Sequence, residues 1–408
     1  MNLSLKPATC HVKSEISITG SKSETNRLLL LQALYPALVL KNTSNSDDSE
    51  VMDKALKTND SVIDVHHAGT AMRFLTAYFA TQENREVILT GSSRMKERPI
   101  KILVDALNQL GASIAYEENE GFPPIKIKGK KLLNNKVSLP ANISSQYISA
   151  LLLIAPKLEN GMELQLQGKI TSIPYIKMTL ALLEEIGIKT DFEENRIIIQ
   201  PKKEIGVQQL TVESDWSSAS YFYSITALSK IGTEIRLSSY KQHSLQGDSA
   251  LAEIYKELGV DTHFEDNAIT LKKNSVHTTE NLILDLNDSP DIAQTIAVTC
   301  FGLGVSCQLS GLHTLKIKET DRLEALKAEL EKLGAIIKVT EDTLELGLSK
   351  EIKSDISIAT YNDHRMAMAF APLALKVPII IKDAGVVSKS YPDFWEDIKS
   401  VGFRMDEI

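Results

Sequence analysis

The sequence predicts an α/β protein of two lobes, each holding three repeated helix–strand units. Three observations carry that expectation. A leucine-rich helix stopped by glycine recurs along the chain, a second series of apolar helices with polar openings runs in register with it, and short strands lie between them.

The first series reads "LNQLGASI", "LLEEIGIKT", "YKELGVDT", "EKLGAIIKV" and "IKSVGFRM", with glycines at 111, 187, 259, 334 and 402, spaced by 76, 72, 75 and 68 residues. Glycine after the last apolar position of an amphipathic helix is the expected left-handed stop. A single case means little, because glycine ends many helices. Five at near-constant spacing make a repeat.

The second series is "SKSETNRLLLLQAL", "GTAMRFLTAYFA", "SSQYISALLLIAP", "SSASYFYSITAL", "SPDIAQTIAVTC" and "NDHRMAMAFAPLAL". Markers Ser23, Thr70, Ser145, Ser218, Pro290 and His364 are separated by 47, 75, 73, 72 and 74 residues. That defines six units, the first shortened by one strand–helix step, with no glycine stop near "ALKTND". "REVILT", "NRIIIQ" and "NAITLK" are expected strands. A lobe boundary is expected near "QLTVESDW" at 209–216.

The composition, 408 residues with 43% apolar and 24% charged, is that of a globular protein. A net charge of −8 argues against a non-specific nucleic-acid binder. Cys10, Cys300 and Cys307 are too few and scattered for a disulfide framework, which fits a reducing compartment. The first residues lack a signal-peptide pattern and no apolar run has bilayer length, so a cytoplasmic protein is expected.

An all-round apolar helix is buried, yet its first N–H groups still need partners. Ser, Asp or Asn at each opening can cap them. Six equivalent openings can equally direct positive helix ends at an anion. Cations gather at the same places: Lys22 and Arg27, Arg73, Arg94, Lys96 and Arg98, Lys318 and Arg322, Arg365, and Lys389. Buried charge needs a carboxylate or a bound anion, and for Arg73 and Arg94 a structural and a ligand role are equally open. In "IKETDRLEALKAELEKLGA", Leu323, Leu326, Leu330 and Leu333 mark one helix face. Glu319, Thr320 and Asp321 can cap that helix, but the alternation Lys318, Glu319, Asp321, Arg322 exceeds what capping needs and suits acid–base work.

"GSKS" is not a phosphate-binding P-loop, no G-x-G-x-x-G follows a strand, and the histidines lack zinc-ligand spacing. No metal or organic cofactor is expected.

"GSKSETNRLLLLQAL", "HAGTAMR", "RMKERPIKILVDAL", "SSQYISALLL", "SDWSSASYF", "SLQGD", "KETDRL", "YNDHRMAMAF" and "KSYPDF", in order from about residue 20 to 394, resemble the motifs of one enzyme family. It is the 3-phosphoshikimate 1-carboxyvinyltransferase family, also called 5-enolpyruvylshikimate-3-phosphate synthase. The resemblance implies the two-lobed enolpyruvyl-transferase fold, an inverse α/β barrel of six βαβαββ units, three per lobe. It implies lobes at 21–212 and at 1–20 with 213–408, and an active site in the cleft between them. The implied reaction transfers the enolpyruvyl group of phosphoenolpyruvate to the 5-hydroxyl of shikimate 3-phosphate and releases phosphate, a step of aromatic amino acid biosynthesis inhibited in this family by glyphosate. The implied partners are these two small molecules, with no nucleic acid or membrane, and the chain is expected to be a monomer.

By the same resemblance, Lys22 touches both substrates. Gly69, Arg98, Gln146, Arg322, Arg365 and Lys389 would contact phosphoenolpyruvate. Ser23, Arg27, Ser144, Ser145, Gln146, Ser172, Asp291, Thr314 and Lys318 would hold shikimate 3-phosphate, with Tyr175 nearby. Asp291 would be the base for the 5-hydroxyl, and Glu319 would move the proton at C3, assisted by Lys318 and Lys22. The chain departs from the family pattern at His67 and Thr314, where Asn is common, and at Ile173, where Lys is common.

Two other functions share the fold. UDP-N-acetylglucosamine enolpyruvyl transferase commonly carries a reactive cysteine on a mobile loop, whereas Cys300 falls in an apolar helix and Cys307 in an expected strand. A non-catalytic anion-binding protein would not need Asp291, Glu319 and Lys22 together.

Overall fold

All five glycine stops occupy the left-handed region in the computed structural model, which describes residues 1–140, 144–168, 170 and 173–408. They follow the helices Lys101–Gln109, Ile173–Glu185, Leu251–Glu257, Arg322–Leu333 and Phe394–Ser400. At Gly259, with φ +82°, a Cβ would also lie 2.3 Å from the Ser275 carbonyl oxygen, so both conformation and space demand glycine. The helix Asp47–Lys57 instead ends at Thr58 in an extended conformation, as the missing glycine suggested.

The second series forms the helices Lys22–Leu34, Gly69–Ala80, Ser145–Ile154, Trp216–Leu228, Ala293–Leu303 and His364–Phe370. Every residue of His364–Phe370 is buried, as is all of Trp216–Leu228 except Ser217. Lacking a polar face, they can form only as the inner layer.

Strands pair in one recurring pattern: two parallel strands, the second antiparallel to a third, the third antiparallel to a fourth. Lys136–Pro140 runs parallel to Met162–Gln167, which pairs antiparallel with Arg196–Ile199, which pairs antiparallel with Thr190–Glu193. With the intervening helices, this is a βαβαββ unit. Ile125–Lys128 shows why these segments are strands: Ile125 and Ile127 enter the core while Lys126 and Lys128 face outward. Among the described residues five sheets have four strands, and one has two.

The two-stranded sheet pairs Leu38–Lys41 with Gln208–Thr211. It belongs to the shortened first unit, and here the structure corrects the sequence expectation. The unit keeps its strand–helix step, Leu38–Lys41 and Asp47–Lys57, and among the described residues lacks the antiparallel strand pair that completes the others.

The chain divides into two compact bodies, Gly20–Val212 and Met1–Thr19 with Glu213–Ile408. The N-terminal strands belong to the second because Lys13–Ile16 pairs with Glu234–Ser238, and Leu3–Leu5 lies between Ile379–Ile381 and Met405–Glu407. Among the described residues no helix is long and apolar enough to cross a membrane.

Candidate active-site residues

In the body Gly20–Val212, the starts of the Lys22–Leu34 and Gly69–Ala80 helices are preceded by Ser21 and Ala68, neither of which makes a side-chain cap. Sequence reasoning expected a cap at each opening. Cations stand there instead. A Cβ on Gly69 would lie 2.6 Å from Arg98 Nη1 and 2.8 Å from Nη2, so the glycine makes room for the Arg98 guanidinium over the helix start. Arg98 makes no ion pair among the described residues. Lys22 Nζ lies 3.3 Å from Asp48 Oδ2, and His67 Nε2 lies 3.9 Å from Asp48 Oδ1.

Two further arginines are buried against neutral groups. Arg27 donates from Nε to Thr179 Oγ1 (2.8 Å), from Nη1 to the Ser23 carbonyl (2.7 Å), and from Nη2 to Ser149 Oγ (3.0 Å) and the Tyr175 carbonyl (3.3 Å). Phe74 and Tyr175 flank its guanidinium. Arg73 donates to the carbonyls of Gly69 and Pro99, at 3.2 and 2.9 Å, and lies by the Tyr147 ring. Burial pulls the pKa of both down to about 10. Arg73 therefore braces the "RMKERP" loop, and Arg94 is an exposed partner of Glu97 at 2.8 Å.

At the third helix of this body, Ser144 caps Gln146 N at 3.4 Å and Ser145 is buried. Gln146 Nε2 donates to Thr70 Oγ1 at 3.1 Å, which ties this helix start to the one bearing Gly69. Ser172 lies outside the described residues.

In the second body the charges are matched by carboxylates. Arg322, 2% exposed, donates from Nε to Asp363 Oδ2 (2.6 Å), from Nη1 to Asp291 Oδ1 (2.8 Å) and from Nη2 to Glu319 Oε2 (2.8 Å). Asp291 also faces Lys318 Nζ at 3.5 Å and, through Oδ2, Arg365 Nη2 at 3.1 Å. Burial acts to lower the pKa of both arginines, but their carboxylates outweigh it and hold them above the usual range. Arg322 has five N–H groups, of which these bonds engage three.

The helix openings set this geometry. Asp363, with no exposed surface, caps Arg365 N at 2.8 Å through Oδ1 and holds Arg322 through Oδ2. Asp321 caps Leu323 and Glu324, leaving Glu319 one turn back to meet Arg322. Lys389 donates to the Asn362 carbonyl at 2.6 Å, which joins "KSYPDF" to "NDHR". Thr314 Oγ1 and Arg365 Nε are buried with no hydrogen-bond partner among the described residues. No group of His, Cys, Asp or Glu among them is arranged to hold a metal.

The structure thus joins Lys22, Gly69, Arg98 and Gln146 to residues of the first body, and Asp291, Lys318, Glu319, Arg322, Arg365 and Lys389 in the second. Sequence reasoning missed Asp48 and the full role of Asp363. Asp48 sits in "SDDSE", where acidic residues after Ser46 read as an ordinary helix start.

Residues 38–398 match the family model of EPSP synthase (3-phosphoshikimate 1-carboxyvinyltransferase). A 3-phosphoshikimate 1-carboxyvinyltransferase of Bacteroides fragilis (strain YCH46) is 47% identical over 98% of both chains. One from Histophilus somni (strain 2336) is 36% identical over 98% of both. Among solved structures, an EPSP synthase from Acinetobacter baumannii superposes with a TM-score of 0.81 at 21% identity, covering 100% of both chains. The enolpyruvyl transferase NikO from Streptomyces tendae gives 0.72 at 13% identity, covering 99% of this chain and 98% of its own. At those identities the two structures speak for the fold.

Proposed function

Because the chain belongs to the EPSP synthase family, we propose that it transfers the enolpyruvyl group of phosphoenolpyruvate to the 5-hydroxyl of shikimate 3-phosphate. The observation that carries the chemistry is that Asp291 and Glu319 share the buried Arg322. Two carboxylates so held are placed for separate proton transfers.

The reaction proceeds by addition and elimination. The 5-hydroxyl oxygen attacks C2 of phosphoenolpyruvate, its proton passing to Asp291, while C3 gains a proton from Glu319. The tetrahedral intermediate then returns a C3 proton to Glu319 and expels phosphate, giving the enolpyruvyl ether. Asp291 is engaged by Arg322, Lys318 and Arg365. Arriving phosphate and carboxylate groups compete for Lys318 and Arg365, which releases Asp291 oxygens to take the hydroxyl proton. Arg98, Gly69, Gln146, Arg322, Arg365 and Lys389 bind phosphoenolpyruvate. Ser23, Arg27, Ser144, Ser145, Ser172, Thr314 and Lys318 hold shikimate 3-phosphate, with the orphaned Thr314 hydroxyl supporting its assignment. Lys22 serves both. The protein works as a cytoplasmic monomer on these small molecules, without nucleic acid or membrane.

The nucleotide-sugar alternative finds no support in the cysteines: Cys10, Cys300 and Cys307 are all buried. Phosphate release from phosphoenolpyruvate, measured with either acceptor, tests the reading. Release dependent on shikimate 3-phosphate is expected. Release only with UDP-N-acetylglucosamine would overturn the substrate, and release with neither would overturn the activity.

A further inference from the structure

The motif "SLQGD" has no role in the chemistry above, yet it is fastened to the start of the Trp216–Leu228 helix. Gln246 Oε1 accepts from Trp216 N (3.0 Å) while Nε2 donates to the Ser214 carbonyl (2.9 Å). The buried Glu213 receives Trp216 Nε1 at 2.8 Å, Lys241 N at 2.9 Å and Ser244 Oγ at 2.7 Å. These bonds set Asp248, only 5% exposed, beside Ser217, whose Oγ–H donates to Asp248 Oδ2. Ser217 is also the one residue of its helix that is not buried. Its oxygen accepts from Arg365 Nη2 at 3.3 Å, and that same nitrogen reaches Asp291 at 3.1 Å.

A serine hydroxyl has one proton and two lone pairs. With the proton committed to Asp248, the lone pairs face the guanidinium. Without Asp248 the hydroxyl can rotate its proton toward Arg365, and the acceptor is lost. We propose that Asp248 is a positioning residue: through Ser217 it fixes the Arg365 guanidinium, and so sets the affinity for the anionic substrate that Arg365 holds. The residue lies behind Ser217 and Arg365 and acts only through them. The buried Nε of this arginine carries no competing bond among the described residues, so the Ser217 and Asp291 contacts at Nη2 dominate its orientation.

The proposal rests on Arg365 binding phosphoenolpyruvate. Its test is steady-state kinetics of Asp248→Ala, Asp248→Asn and Ser217→Ala with phosphoenolpyruvate varied at saturating shikimate 3-phosphate, alongside thermal unfolding of each variant. Asp248→Ala and Ser217→Ala are expected to raise KM for phosphoenolpyruvate about tenfold, the equivalent of one charge-assisted hydrogen bond, with kcat changed far less. Asp248→Asn, whose amide oxygen still accepts from Ser217, is expected to restore most of the affinity. An unchanged KM in Asp248→Ala, or a failure of Asp248→Asn to recover it, would overturn the proposal, whatever the loss in thermal stability. If the unmutated enzyme shows no turnover, the functional reading fails first; if it turns over and KM stays fixed, only this proposal fails.

Discussion

The two bodies hold their arginines in opposite ways. In Gly20–Val212, Arg27 and Arg73 are buried among hydroxyls, carbonyls and rings, and desolvation lowers their pKa to about 10. In the second body Arg322 and Arg365 are as deeply buried but meet carboxylates, and their pKa rises. In the first arrangement the bonds of both guanidinium groups go to hydroxyls, carbonyls and a thioether. The second is neutralised in advance and keeps acid–base groups in fixed geometry. Similar repeats have thus been given different electrostatic work, decided by whether carboxylates bond the guanidinium directly.

Stability should break along this line. Asp363→Ala strips a carboxylate from a fully buried arginine and removes a helix cap, with an expected cost of about 3–5 kcal/mol. Arg27→Met gives up bonds to neutral partners in exchange for an apolar side chain, at about 1–3 kcal/mol. Denaturant unfolding of both variants compares them directly, and equal losses would erase the contrast.

Gly69→Ala sharpens the account of the first body. Its methyl group would meet the Arg98 guanidinium at 2.6 Å, and the flexible arginine must yield. KM for phosphoenolpyruvate should rise about tenfold, as small displacements of a binding group can do, while stability changes by less than about 0.5 kcal/mol. An unchanged KM would separate Arg98 from substrate binding.

The smallest effect concerns pH. Burial, then the nearby Asp291, pushes the Asp248 pKa up to about 7, against 3.8 for a free carboxyl; Arg365 and Ser217 oppose this and Asp215 adds to it. Between those values the folded state holds a proton that the unfolded chain has lost, so this group's contribution to stability falls as pH rises from about 4 to 7. Asp248→Asn removes that dependence. Its Tm relative to the unmutated protein should therefore improve from pH 5 to pH 7.5, and a constant offset would contradict the assignment.

The repeat was legible because glycine stops and apolar helices obey local rules: Gly111 to Gly402 were recognisable without any knowledge of packing. The missing strand pair of the first unit was harder, since a shortened spacing tells that residues are absent but not which element they formed. At the site, Asp291, Glu319 and Arg322 stand in recognisable motifs. Asp48, Asp248 and Asp363 did not declare themselves, because an acidic residue at a helix start looks the same whether it caps a backbone N–H or holds an arginine 41 residues away, as Asp363 holds Arg322. Only the fold distinguishes the two.

The most direct test of this division of labour is to compare Arg98→Ala with Glu319→Gln in one assay of phosphate release, varying phosphoenolpyruvate at saturating shikimate 3-phosphate. Arg98→Ala is expected to raise KM at least tenfold with kcat nearly kept, while Glu319→Gln lowers kcat by about 10²-fold or more with KM nearly kept. Full turnover in Glu319→Gln, or equal losses of kcat in both variants, would contradict the separation of binding cations from acid–base carboxylates.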